Sequence, residues 1–160
     1  MAAAVQWAEM NWVEKRAQQD ELLRQNADRI WEYFRIAIRQ SVESYARHYG
    51  NKRAIKVECH DDKPDLVYVD FSTPPTKESS ATQAAIIVQR DGFNRHVIDV
   101  TYKYVKTPQK TLTIAVLPDG SVALADKGDP VGDDDAARLI LEPIFFPVTA
   151  KSAKVSMANY

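Results

Sequence analysis

Residues 11–49 contain neither proline nor glycine, and this uninterrupted stretch does most to limit what the chain can fold into. Leu23, Ala27, Ile30, Phe34, Ala37, Ile38, Tyr45 and Tyr49 recur at helical spacing, with Glu21, Arg24, Asp28, Glu32, Arg35, Arg39, Glu43 and Arg47 on the opposite side. Asn11 and Glu14 have the spacing of a capping pair, and Gly50–Asn51 reads as the stop. Continuous, such a helix would be about 58 Å long at about 1.5 Å per residue, which exceeds the diameter of a domain this size. It therefore either breaks near Gln18–Gln19 or projects at its N-terminal end. The first turns carry Trp7, Met10, Trp12 and Val13 on no clean stripe. Exposed tryptophans need cover, and a second copy of the chain is the simplest supplier, so these four are the expected interface of a homodimer.

Beyond residue 54 the period changes from helical to alternating. Ile55, Val57 and Cys59 alternate with Lys56 and Glu58, and Val67, Val69 and Phe71 with Tyr68 and Asp70. Pairing Val57 with Val69 sets Cys59 opposite Val67 and Lys56 opposite Asp70, leaving residues 60–66 as the loop. Residues 72–83 are rich in Pro, Ser and Thr and read as a connection. A second hairpin turns at Asp91–Gly92, aligning Val88 with His96 and Ile86 with Ile98. A third turns at Pro118–Asp119–Gly120, setting Val116 against Val122 and Ile114 against Leu124. Residues 126–132 read as a loop into a short acidic-capped helix that ends or kinks before Pro143.

The expected fold is α+β: a long N-terminal helix packed across a curved antiparallel meander of about six strands in three hairpins, with a short C-terminal helix. In general shape alone this plan resembles cystatin-like and NTF2-like proteins. The expected organisation is a helical arm over residues 1–20, a single domain over 21–147 and a loosely held tail over 148–160.

The 160 residues, 45% apolar and 27% charged, suit one globular domain rather than a disordered chain. A net charge of −1 offers no footprint for nucleic acid or an anionic membrane, so neither is an expected partner. No apolar run approaches the length of a membrane span, and one cysteine cannot form an internal disulfide, so the expected setting is the cytoplasm.

The densest chemistry lies in the stretch VECHDDKPD. His60, Asp61, Asp62 and Asp65 have metal-ligand chemistry, but no alternating acidic calcium loop or glycine bend accompanies them, and a polar hairpin loop explains the same residues. No metal is expected. Cys59 has core parity, which makes it an inert thiol. His96 shares parity with Ile98, Val100, Tyr102 and Tyr104, so it is the candidate catalytic or ligand-contacting residue of a pocket lined also by Tyr45 and Phe34, with residues 72–83 as a lid. His48 is explained by a helix C-terminus. Nucleophile-elbow and phosphate-loop motifs are absent, and no cofactor is expected. Three functions fit: a non-catalytic binding or assembly module dimerising through its helix, a small-molecule binding protein or enzyme using the His96 pocket, and a chaperone-like or secretion-accessory protein binding peptides at a sheet edge or at residues 144–148.

Overall fold

The computed structural model describes residues 10–77 and 80–147. Trp7 of the expected interface, the start of the expected arm and the expected tail at 148–160 lie outside the described residues.

Helix α1 spans Trp12–Tyr45, 34 residues or about 51 Å at the standard rise. The Asn11 side chain accepts from the Glu14 N–H at 2.9 Å and donates to the Glu14 carboxylate at 2.9 Å, which satisfies donors at both positions of the first turn. The helix runs unbroken through Gln18–Gln19, and its first buried residue is Ala27. Its end differs from expectation. A π-helical turn, Ala46–Gly50, and a short α2, Asn51–Arg53, carry the chain through the expected Gly50–Asn51 stop to Arg53. Gly50 keeps right-handed geometry, and Ala54 takes the left-handed position at φ 52°. The Ile55 N–H then reaches back to the Gly50 carbonyl at 3.1 Å, closing the helix in Schellman fashion.

Seven strands follow in sequential antiparallel order: β1 Lys56–His60, β2 Leu66–Thr73, β3 Thr82–Arg90, β4 Val97–Lys103, β5 Lys110–Val116, β6 Val122–Asp126 and β7 Asp129–Val131. The sheet curls into a half-barrel around α1. The seventh strand replaces an expected loop. Lys127 and Gly128 both have positive φ, 52° and 89°, the geometry of a primed two-residue hairpin turn. Pro130 is tolerated in β7 because that strand is an edge.

The third hairpin has the expected register, with Ile114 opposite Leu124 and Val116 opposite Val122. The other two slip. Val57 pairs with Phe71 and Cys59 with Val69, so Lys56 meets Ser72 rather than Asp70. Val88 pairs with Val100 and Ile86 with Tyr102, not with His96 and Ile98. Both slips are even-numbered, so each side chain keeps its face and the core survives the change. The second slip accompanies a six-residue loop at residues 91–96, in which Asp91 Oδ1 accepts from the N–H groups of Phe93 and Asn94, each at 2.7 Å.

Helix α3, Asp133–Phe145, continues past the expected stop and contains Pro143. Pro143 lies in the last turn, so only its bond to the Leu139 carbonyl is forgone. Trp31, Phe34, Ile38 and Val42 of α1, the inward residues of β2 to β6, and Ile140, Leu141, Ile144 and Phe145 of α3 form one core. No helix among the described residues is long and apolar enough to cross a membrane.

Candidate functional site

The acidic loop at residues 61–65 is tied to its neighbours by ion pairs and is not a merely solvated turn. Asp61 pairs with Arg39 at 2.7 Å, and Asp65 forms a bidentate pair with Arg95 at 2.8 and 2.9 Å. The Arg95 guanidinium holds the Asp65 carboxyl below its usual pKa. Trp31 Nε1 donates to the Pro64 carbonyl at 2.8 Å, and Arg35 Nη2 donates to the carbonyls of Asp61 and Lys63. His60 faces away from these aspartates. Its Nε2 lies 3.5 Å from Glu58 and 3.3 Å from Asp70, two like charges that the slipped register sets opposite each other. Asp62 stays exposed. Among the described residues no three His, Cys, Asp or Glu side chains are arranged to hold a metal ion. Cys59 packs against the core, and burial pushes its thiol pKa up to about 11, with Asp61 adding to the rise.

The cleft arises from the helix being longer than the sheet it crosses. Trp12 and Val13 stand eighteen residues, five turns, before Ile30 and Trp31, so they share the inward face of α1. The sheet does not reach them, and they remain 79% and 54% exposed. Between them and the core, Arg16, Gln19, Asp20, Leu23 and Arg24 overhang an open cleft of about 670 Å³. Its far wall is built by Arg90, Phe93, Arg95 and His96, with residues 113–116 at the edge of β5. That edge is open because β4 begins at Val97. The Ile114 N–H reaches the His96 carbonyl at 2.7 Å, and the Val116 N–H, two residues on, faces the same way beyond the end of β4.

Arg90 is the least ordinary member. It has the parity of Ile86 and Val88, faces the core side and is 3% exposed. Its Nε donates to the Arg95 carbonyl at 2.5 Å and its Nη1 to Asp28 at 2.7 Å. Asp28 is itself 82% exposed, so this counter-charge sits mostly in water. Arg16 pairs with Asp20 at 3.2 Å, and Arg24 with Glu21 at 2.5 Å. With Arg95 on Asp65, each of the four lining arginines has a carboxylate partner.

Of the five residues expected to share a pocket, His96 alone lines this cleft. Phe34 and Tyr45 lie in the core, with Tyr45 stacked on Phe145 at 4.1 Å between ring centroids. The Tyr102 hydroxyl donates to the Ile140 carbonyl at 2.6 Å, and burial pushes its pKa up to about 12. Tyr104 follows the end of β4 with φ 68° and is exposed. The expected lid is partly strand, since β2 runs to Thr73 and β3 starts at Thr82. Ile144 and Phe145, expected on an exposed apolar surface, are buried against α1 and the sheet. A second groove of about 650 Å³ lies between α1 and α3, lined by Tyr45, Tyr49, Leu141, Phe145 and Phe146, with His48 at its margin. Sequence reasoning passed over Arg90, although a charged residue at the core parity of a strand was the available signal. Compared with family models, curated proteins and solved structures, the chain shows no match.

Proposed function

We propose that this protein is a non-catalytic binding module that self-associates through the N-terminal half of α1. The observation that carries the reading is the continuation of the helix's inward face, beyond its sheet cover, onto exposed Trp12 and Val13. A tryptophan side chain offers roughly 150–250 Å² of surface. Covering the exposed part of Trp12 would contribute ~4 kcal/mol per copy at about 25 cal/mol per Å². Arg16, Asp20, Glu21 and Arg24 mix signs along the same segment, which lets two copies pair about a two-fold axis without a like-charge clash. A cytoplasmic setting belongs to this proposal and accords with the chain's one cysteine, which has no disulfide partner. Light scattering coupled to size-exclusion chromatography tests the assembly. The expected result is a dimer that dissociates in the Trp12→Ala/Val13→Ser variant. A monomeric parent protein, or a variant that stays dimeric, overturns it.

A second reading is supported by a separate observation. The cleft opens to solvent, reaches His96 and has a volume typical of small-molecule sites. Trp12 and Val13 do not line it, but Arg16, Asp20 and Arg24 belong to both the cleft and the proposed interface segment.

A further inference from the structure

We infer that the cleft beneath the overhanging half of α1 binds an amphipathic organic carboxylate, with the Arg90 guanidinium as its anchor. This rests on the second reading above, that the cleft holds a small ligand.

Arg90 supplies the first argument. Placing a guanidinium on the core side of a strand is costly unless it is paired. Its carboxylate partner among the described residues, Asp28, is mostly in water and engages Nη1 alone. Nη2 has no hydrogen-bond partner among the described residues. The sealed-off unsatisfied side-chain atoms among those residues are Arg35 Nε and Asp126 Oδ1, and Arg90 Nη2 is not one of them. Arg90 lines the cleft, so a ligand oxygen there can take Nη2 while Asp28 keeps Nη1. The Val116 N–H on the open edge of β5 gives a second, neutral donor in the same wall.

The rest of the lining selects the body of the ligand. Half-buried Leu23 and Val116 supply apolar surface, and the Phe93 ring is 99% exposed beside the wall. Arg16, Arg24 and Arg95 are each paired with a carboxylate, of Asp20, Glu21 and Asp65, so what favours an anion is the unengaged Nη2 of Arg90 rather than the net charge of the lining. Asp20 and Asp28 disfavour a doubly charged one, which points to a carboxylate rather than a phosphate monoester.

The test titrates the full-length protein with phenylbutyrate, phenylbutyramide and phenyl phosphate, by calorimetry and by amide and arginine side-chain NMR. The carboxylate is expected to bind at least ~10-fold tighter than the isosteric amide, the advantage of one charge-assisted hydrogen bond. It should shift the Arg90 Nε–H and Val116 N–H signals, and Arg90→Lys should remove the advantage without changing amide binding. Where Arg90→Lys fails to fold, the signals of the unmodified protein decide. Equal binding of amide and carboxylate overturns the anchor and leaves the cleft a ligand site. Tighter phenyl phosphate binding overturns the ligand class. Shifts confined to the second groove, or no binding of any probe up to about 10 mM, overturn both the inference and the ligand-cleft reading.

Discussion

Replacing Arg35 tests whether the acidic loop is latched to α1 or merely rests beside it. Arg35 is buried, and its Nη2 serves the carbonyls of both Asp61 and Lys63, while Nη1 pairs with Glu32 at 2.8 Å. Each hydrogen bond from a charged donor contributes about 1.5–3 kcal/mol. Against this, Nε is buried without a partner, a standing cost of about 1–3 kcal/mol that the substitution removes. The Glu32 carboxylate is more than half exposed, so its pair adds at most ~1 kcal/mol. The balance for Arg35→Ala is a loss of ~3 kcal/mol, or about 6–12 °C in Tm for a chain of this size. Urea unfolding followed by tryptophan fluorescence measures it. The urea slope should stay constant, since the loss is of stability and not of compactness. Trp31→Phe removes the Pro64 bond from the same loop, so the double variant should be non-additive by at least ~0.5 kcal/mol. A loss below ~1 kcal/mol for Arg35→Ala would show that water replaces the guanidinium freely, and the latch would be refuted.

Two further outcomes follow from shifted pKa values. With its pKa moved from 9.0 to about 11, Cys59 should react with a disulfide reagent at pH 8 ~100-fold more slowly in the native protein than after unfolding; equal rates would contradict its packing against the core. The Asp65 pKa is lowered by Arg95, so the pair's contribution is present above the unfolded carboxyl value near pH 4 and disappears as pH falls through the lower folded value. Both side chains are over a third exposed, so the stability difference between the protein and Asp65→Asn should be ~1 kcal/mol or less at pH 7, shrink in high salt and vanish once the pH lies below the lowered folded value. A difference that persisted at that pH would rule out the ion pair as its source.

What the sequence made legible was whatever follows from period and parity. The helix start is written in Asn11 and Glu14, and the third hairpin in Pro118–Asp119–Gly120, whose short turn leaves one register free. The first two registers were not legible, because they depend on loops stabilised by partners far along the chain. The Arg90 N–H meets the Asp65 carbonyl at 3.0 Å, and Trp31 meets Pro64 across thirty-three residues. Strand β7 turns on Lys127–Gly128, and nothing in the sequence shows that Lys127 will accept a positive φ. The helix overhang was legible as a length excess, but the cleft beneath it was not. Its far wall depends on where β4 begins, which the six-residue loop decides.

The acidic loop and the cleft are mechanically one structure. Arg35 and Trp31 fix the loop to α1 from below, and Asp65 then holds Arg95 by two hydrogen bonds and Arg90 through a backbone carbonyl. Arg95 in turn accepts from Arg90 Nε through its own carbonyl, and this fixes where the Arg90 guanidinium enters the cleft. A guanidinium held at Nε by the Arg95 carbonyl and at Nη1 by Asp28 has little rotamer freedom left to lose when a ligand arrives, so more of the interaction energy appears as affinity. The histidine and aspartates that look like ligands in the sequence therefore have a different physical role. Asp61 and Asp65 are spent on arginines, His60 lies between two carboxylates on the opposite side, and the loop serves as the scaffold of a site whose charged anchor comes from the interior of a neighbouring strand.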